Sequence, residues 1–107
     1  MTVIEFFDRE SAVENIAGAL ICKPEKVVFI GSNAKRMKKS IENYNAVFRG
    51  RGIDVEFSFR TVGRNNLDAV ISAIEDVIAE NGECKIDISG GDEMFLVAVG
   101  VIFESQA

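Results

Sequence analysis

The fold class of this sequence is decided by one stretch, KVVFIGSNAKRMKKSIENYNAVFR at residues 26–49. Its first six residues form a nearly continuous apolar run, which is typical of a parallel strand covered on both faces. The remainder carries an apolar side chain every three or four residues, which is the spacing of an amphipathic helix. A buried strand that leads directly into a helix predicts one unit of an α/β sheet.

Three further strands are predicted on either side of this stretch. They are Val3–Phe7, Asp54–Phe59 and Cys84–Ile88. The first is rich in β-branched and aromatic residues, which favour strands. The second alternates apolar with polar residues, so we expect it to be half exposed and to lie at an edge of the sheet.

Helices are predicted between and after these strands. Ser11–Lys23 begins with the S-x-x-E pattern of a capping box, and a second helix runs from Asn65 or Asn66 to Gly82. Residues 92–104 are predicted as a helix, although their apolar character on every side also suits a strand. The order β-α-β-α-β-α-β-α predicts a parallel sheet with helices on both faces. We expect a Rossmann-like, doubly wound sheet with strand order 3-2-1-4. Four strands make a small sheet of this class, so we expect a truncated domain.

The composition sets limits on the function. The 107 residues suffice for one domain, and the net charge of −5 argues against direct DNA binding. The absence of histidine removes the commonest acid–base and metal-ligating side chain. Two cysteines are too few for a disulfide scaffold, and the start of the chain lacks a basic signal-peptide region. We therefore expect a cytoplasmic protein that uses no metal or cofactor and does not enter membranes.

Ligands of open parallel sheets bind beyond the carboxyl ends of the strands, where the strand order reverses. With order 3-2-1-4 the reversal lies between the first and fourth strands. The loops 8–11 and 89–93 meet there, and the loop 31–35 flanks them. The candidate ligand-binding residues are therefore Asp8, Arg9, Glu10, Ser11, Ser32, Asn33, Lys35, Ser89, Gly90, Gly91, Asp92 and Glu93.

Each part of this candidate site also has a purely structural interpretation. Gly90 and Gly91 bring backbone N–H groups close to an anion, but they equally make a tight turn. Arg9 suits a phosphate or carboxylate, but an arginine beside two acids is commonly a solvated surface pair. Asp92 and Glu93 stabilise the start of a helix and would repel a phosphate there.

The charge is distributed unevenly along the chain. Residues 33–52 carry a net charge of +5, and the rest of the chain carries −10. A basic helix on an acidic domain can steer an anionic ligand toward the loop at its start. The same pattern also describes an ordinary solvated helix face.

Two acids fall within predicted strands, Glu5 in the first and Asp87 in the fourth. A carboxylate in a central strand needs hydrogen-bond partners or a raised pKa. Asp87 is best explained as an anchor for a loop. A small-molecule enzyme with Asp87 or Asp8 as its base stays an alternative. The G-x-G-x-x-G and G-x-x-x-x-G-K-[ST] phosphate-binding motifs are both absent.

One short string matches the signature of a different family, but the likeness does not extend beyond that string. The letters SGGDEM at 89–94 look like the signature of GGDEF diguanylate cyclases. That family carries its signature on a β-hairpin in a longer domain, with a metal-binding aspartate on an earlier strand. Neither feature has a counterpart in this sequence.

Three segments together resemble the CRISPR-associated Rossmann fold (CARF) domains, especially those at the N-terminus of Card/Can-type nuclease effectors. They are VIEFFDRESAVENIAGAL at 3–20, VVFIGSNAKRM at 27–37 and KIDISGGDEMFLVAVGVIFES at 85–105. The family motif resembles N-I-T-G-G-T-K-x-M. Asp87, Ser89, Gly90, Gly91 and Met94 fit it, whereas residues 92 and 93 are acids where Thr and Lys are usual.

The resemblance covers nearly the whole of residues 1–107 and implies a ligand-sensing regulatory domain. Such a domain forms a homodimer that binds a cyclic oligoadenylate at the dimer interface, in CRISPR-linked antiviral defence. The resemblance also implies further strands and a C-terminal nuclease domain, so we predict no catalytic residues in this chain. The alternative from another class is a non-catalytic dimerisation module with the same fold and no nucleotide ligand.

Overall fold

The computed structural model describes residues 1–7, 23–63, 65–87 and 93–106. The strands in this part are Thr2–Phe6 (β1), Lys26–Gly31 (β2), Glu56–Thr61 (β3) and Cys84–Asp87 (β4). The helices in this part are Ala34–Gly50 (α1), Leu67–Asn81 (α2) and Glu93–Gln106 (α3). The helix predicted at Ser11–Lys23 falls, except for Lys23, outside the described residues, as does the end of the fourth strand at Ile88.

The four strands form one parallel sheet in the order β3-β2-β1-β4. This confirms the predicted strand order and places β3 at an edge, as its half-exposed pattern indicated. In the register, Glu5 of β1 lies between Phe29 of β2 and Asp87 of β4. All five residues of β1 are buried, as the central position of this strand requires.

The sheet is covered on both faces, as the doubly wound prediction requires. On one face, α2 and α3 pack against β1 and β2 around a buried cluster that includes Ile4, Phe6 and Ile30. The opposite face carries α1, whose Met37 and Phe48 join a second buried cluster. Alternation along each strand divides its side chains between these two clusters.

The helix boundaries follow from local capping. Asn33 accepts a hydrogen bond from the Arg36 amide at 3.0 Å and begins α1. Of the two asparagines predicted to start α2, Asn66 is the cap, because its side chain accepts from the Ala69 amide at 3.0 Å. At the other end Gly82, with φ of 74°, donates to the Ile78 carbonyl. Such a positive φ favours glycine.

The third strand begins two residues later than the sequence pattern predicts. The amides of Arg51 and Ile53 both donate to the Phe48 carbonyl, at 3.1 and 2.9 Å, in a turn that follows α1. The chain joins the sheet only at Glu56, whose amide donates to the Glu25 carbonyl at 3.0 Å. The turn therefore sets the start of β3.

The last described segment is a helix, which confirms the prediction and excludes its strand alternative. Phe95, Ala98 and Ile102 are buried at the spacing of a helix face. The ring of Phe95 stacks on that of Phe6, with 4.5 Å between centroids. The segment therefore covers the sheet and adds no strand to it.

Candidate functional site

A cavity of about 490 Å³ opens where β1, β2 and β3 end. This is the edge of the sheet at which α/β proteins bind their ligands. The residues that line the cavity are Phe7, Ser32, Asn33, Ala34, Arg36, Val62 and Gly63.

Backbone hydrogen bonds hold the three segments of this cavity side by side. Beyond the end of β1, the Phe7 amide donates to the Ile30 carbonyl at 2.8 Å. Beyond the end of β3, the Val62 amide donates to the Gly31 carbonyl at 2.9 Å. The sheet ladder thus continues into the cavity wall, which gives the cavity a rigid base.

Gly31 allows this close approach of β1 and β2. A Cβ atom at this position would collide with the carbonyl oxygen of Phe7 and would lie 3.2 Å from the Met37 sulfur. Any larger side chain would therefore push apart the end of β1 and the first turns of α1. Glycine is required at residue 31 because the space beside the Phe7 carbonyl group is too small for a side chain.

The ring of Phe7 supports the side chain of Arg36. The guanidinium carbon lies 5.8 Å from the ring centroid, over the face of the ring. Phe7 is almost fully buried, whereas Arg36 is exposed. A cation in this position is attracted by the electron-rich ring face. The contact places a positive charge at the cavity.

Arg36 belongs to a group of four exposed cations in the first two turns of α1, the others being Lys35, Lys38 and Lys39. In the described part of the chain, ion pairs join Arg60 to Glu80 and the amino terminus to Glu25, and none involves these four. The first turn of α1 contains no acid. These cations therefore add to the positive end of the helix dipole.

The structure places only some of the predicted site residues. Ser32 and Asn33 line the cavity, and Lys35 is exposed one residue away from Arg36. Glu93 is exposed at the start of α3. The other candidates lie outside the described residues, namely Asp8, Arg9, Glu10, Ser11, Ser89, Gly90, Gly91 and Asp92. The two loops expected to form the centre of the site thus stay predictions.

Five lining residues are absent from the sequence-based candidates, namely Phe7, Ala34, Arg36, Val62 and Gly63. The switch-point rule directed attention to the strands β1 and β4, whereas the cavity extends toward β3. The capping position of Asn33 is the signal that points to Arg36, because it places residue 36 in the first turn of a helix that begins at the sheet edge.

Two carboxylates lie next to each other in the sheet. Glu5 and Asp87 are register partners on β1 and β4, so their side chains share the face that α1 covers. Glu5 is fully buried. Burial, and secondarily the negative charge of Glu5, raise the pKa of Tyr44 on α1 above its ordinary value of 10.0. The electrostatic effect of Glu5 thus reaches a side chain of the helix that begins at the cavity.

Replacing Glu5 with glutamine is expected to lower the pKa of Tyr44 toward the ordinary value, because one source of negative charge is removed. The sequence holds a single tyrosine and no tryptophan, so tyrosinate absorbance against pH reports this group alone. Glu42→Gln is the matched control, since Glu42 is exposed on α1, the helix that carries Tyr44. An unchanged tyrosine titration in Glu5→Gln would contradict the assignment of charge to Glu5.

The raised pKa of Tyr44 also has a consequence for stability. Between the unfolded and folded pKa values, the folded state holds the tyrosine proton and the unfolded chain has released it. The free energy of unfolding should therefore fall as the pH rises above about 10.

Three other features of the described residues bear on function. Burial raises the pKa of the free Cys84 thiol, and the chain's amino terminus partly opposes this rise. No group of three or more metal-ligating side chains occurs in residues 1–7, 23–63, 65–87 and 93–106. No helix in those ranges combines the length and the apolar character needed to cross a membrane.

The described fold is shared with a known structure. The chain superimposes on Can2 from Sulfobacillus thermosulfidooxidans, determined in complex with cyclic tetra-adenylate. The TM-score is 0.76 over 98% of this chain, with 10% sequence identity. At that identity the likeness establishes a common fold. The matched region is 30% of the Can2 chain, so this chain spans about a third of that protein. No known protein family and no curated protein matches the sequence.

Proposed function

We propose that this chain is a CARF domain that senses a cyclic oligoadenylate as a homodimer. The observation that carries the proposal is the cavity at the carboxyl edge of a 3-2-1-4 parallel sheet, with the exposed cation Arg36 in its wall. The sequence motifs resemble those of CARF domains, and the shared fold is that of a protein captured with cyclic tetra-adenylate. A cytoplasmic role in CRISPR-linked antiviral defence, within a longer effector, follows from this proposal.

The cavity has the chemistry that a ribonucleotide ring requires. Its volume of about 490 Å³ falls within the range of small-molecule sites, and its wall combines an aromatic ring with polar groups. A cyclic oligoadenylate carries one negative charge for each phosphodiester. The four cations of α1 supply complementary charge on a domain that is acidic overall. The predicted loops 8–11 and 89–93 complete the site in this proposal.

Two copies of the chain suit a ring with repeated units. A cyclic tetranucleotide has two-fold symmetry, so two identical domains related by a two-fold axis can hold equal halves of it. The surface that we assign to this contact is the outer face of α3. There Leu96, Val97, Val101 and Phe103 expose between 42% and 61% of their surface. Apolar patches of this kind mark contacts with other chains.

Gly100 lies within this exposed face. Nothing lies within 4 Å of the position that its Cβ would occupy, so the fold of one copy does not require glycine here. Glycine inside a helix costs about 0.5–1 kcal/mol relative to alanine. A close approach of a second α3 helix explains why that cost is tolerated, and we place the centre of the dimer contact at this residue.

Gly100→Ala is therefore expected to change folding and association in opposite directions. The free energy of unfolding of the monomer should rise by about 0.5–1 kcal/mol, and the dimer should dissociate about tenfold more readily because the new methyl group separates the helices. Sedimentation at several protein concentrations measures the second effect. Gly50→Ala is the control, since Gly50 is also helical with open space around it. Equal dimer constants for wild type and Gly100→Ala would exclude this contact, and a wild-type monomer at micromolar concentration would exclude the homodimer.

The proposed function is tested by titration calorimetry of the chain with cyclic tetra- and hexa-adenylate. Linear tetra-adenylate is the matched ligand control, because it has the same bases without the closed ring. We expect saturable heat with one cyclic ligand at one ring per two chains. The absence of heat with either ring, from a chain that still dimerises, would overturn the proposal and favour the interaction-module alternative, which the exposed face of α3 also suits. Turnover of the ring during the titration would contradict the expected absence of catalysis.

A further inference from the structure

We infer that Arg36 is the residue that binds a ligand phosphate in the cavity, and that Phe7 is the positioning residue that holds its guanidinium in place. Neither residue belongs to the sequence-based candidates for the site. The identity of the nucleotide ligand rests on the proposed function, whereas the assignment of an anion to Arg36 rests on the geometry of the cavity.

Arg36 is distinguished from the other three cations of α1 by its position. It lines the cavity at the carboxyl ends of the strands, together with Ser32 and Asn33. Lys38 lines a separate groove between α1 and β3, beside Ile41 and Phe57. Lys35 and Lys39 are exposed and line neither space. Among the described residues, Arg36 is thus the cation with direct access to the cavity.

The guanidinium rests on a rigid support. The Phe7 ring is buried and meets the Phe29 ring edge-on, with 5.3 Å between centroids. The Phe7 backbone is tied to β2 by its hydrogen bond to Ile30. An arginine held against a fixed ring loses less rotamer freedom on binding than a free one, and its planar fork matches two phosphate oxygens.

Folding stability does not explain why cations occupy this part of α1. The start of a helix is the positive end of its dipole, so basic side chains there are unfavourable and acidic ones are favourable. Four basic residues nevertheless occupy the first two turns, and no described acid pairs with them. The contact of Arg36 with Phe7 recovers a small part of this cost, because an exposed cation–π contact is weak. A bound anion offsets the rest of the unfavourable electrostatic energy at the start of α1.

The test compares Arg36→Ala and Arg36→Lys with Arg49→Ala by calorimetry with cyclic tetra-adenylate. Arg36→Ala should weaken binding about tenfold or more, because a charge-assisted hydrogen bond is lost. Arg36→Lys should recover only part of the affinity, since lysine keeps the charge but lacks the planar fork. Arg49→Ala is the matched control, because Arg49 is exposed in the last turn of the same helix and lies outside the cavity. Affinity within twofold of wild type for Arg36→Ala, in a chain that binds the ring, would overturn the inference.

The positioning role of Phe7 has a separate readout. Phe7→Leu keeps an apolar side chain but removes the flat ring beneath the guanidinium, and it should weaken binding several-fold. In the Arg36→Ala background the same change should have no further effect on affinity, since Phe7 acts through Arg36. Additive losses in the double variant would show that Phe7 contacts the ligand directly or shapes the cavity, and would contradict the positioning role.

A generic anion separates this inference from the proposed function. Titration of the wild-type chain with pyrophosphate, followed by the side-chain Nε–Hε resonances of arginine, should shift the Arg36 signal and leave that of Arg49 in place. If cyclic adenylates fail to bind but pyrophosphate shifts Arg36, the proposed function fails and the anion site stands. If neither anion shifts Arg36, the anion site fails as well.

Discussion

Replacement of Phe29 by alanine is expected to lower the free energy of unfolding by about 3–5 kcal/mol. Phe29 is fully buried on the α1 face of β2. Its ring meets Phe7 edge-on and stacks on Phe57 at 6.1 Å, with Tyr44 also 6.1 Å away. Alanine would remove all three contacts and leave a cavity at the centre of the cluster. Because domains of this size are stable by roughly 5–15 kcal/mol, the loss is a large share of the total.

Urea denaturation followed by far-ultraviolet circular dichroism measures this effect. Phe103→Ala is the control for the Phe29 substitution, because 61% of Phe103 is exposed in the described fold. It should cost far less, and any effect that it exerts through the dimer should depend on protein concentration. A loss of less than about 1 kcal/mol in Phe29→Ala would contradict the central packing role that we assign to this ring.

Gly31→Ala is expected to lower the free energy of unfolding by about 1–3 kcal/mol, although alanine forms strands more readily than glycine. The added methyl group would collide with the Phe7 carbonyl oxygen, which is backbone and cannot rotate away. The end of β1 would have to separate from β2. The hydrogen bond of 2.8 Å from the Phe7 amide to the Ile30 carbonyl lies at the same place, so it should weaken too.

The Gly31 substitution also has a local readout. Amide hydrogen exchange at Phe7 and Val62 should accelerate more than exchange within α2, because the strain acts at the strand ends. Gly50→Ala is the control, since a Cβ at Gly50 would meet nothing within 4 Å. Stability of Gly31→Ala equal to or above that of wild type would show that β1 and β2 can separate there at no cost.

Much of the fold is local in origin and was therefore predictable from the sequence. The continuous apolar run in Lys26–Gly31 and the 3.6-residue spacing of apolar residues that follows it are both patterns of neighbouring side chains. Capping by Asn33 and termination at Gly82 depend on residues within four positions of each helix end. The alternation of strands and helices in turn indicated that the four strands of the sheet run parallel.

Other properties depend on atoms that are distant in the sequence. The start of β3 at Glu56 depends on which backbone groups Phe48 and Glu25 offer to the incoming chain. The helical state of 93–106, ambiguous from its uniform apolar character, depends on packing against Phe6. Neither outcome could be predicted from the spacing of apolar residues along the sequence.

Part of the candidate site was likewise predictable from the sequence, and part was not. The sequence alone placed Ser32 and Asn33 at the carboxyl edge of the sheet, because a strand-to-helix junction must lie there. Only the tertiary structure brought Phe7 of the first strand's end beneath Arg36 of a helix nearly thirty residues later. That contact requires Gly31 to let the strands approach, and steric fit between distant segments leaves no periodic trace in a sequence. The sequence therefore determined which edge of the sheet carries the site, and three-dimensional packing decided which side chains form it.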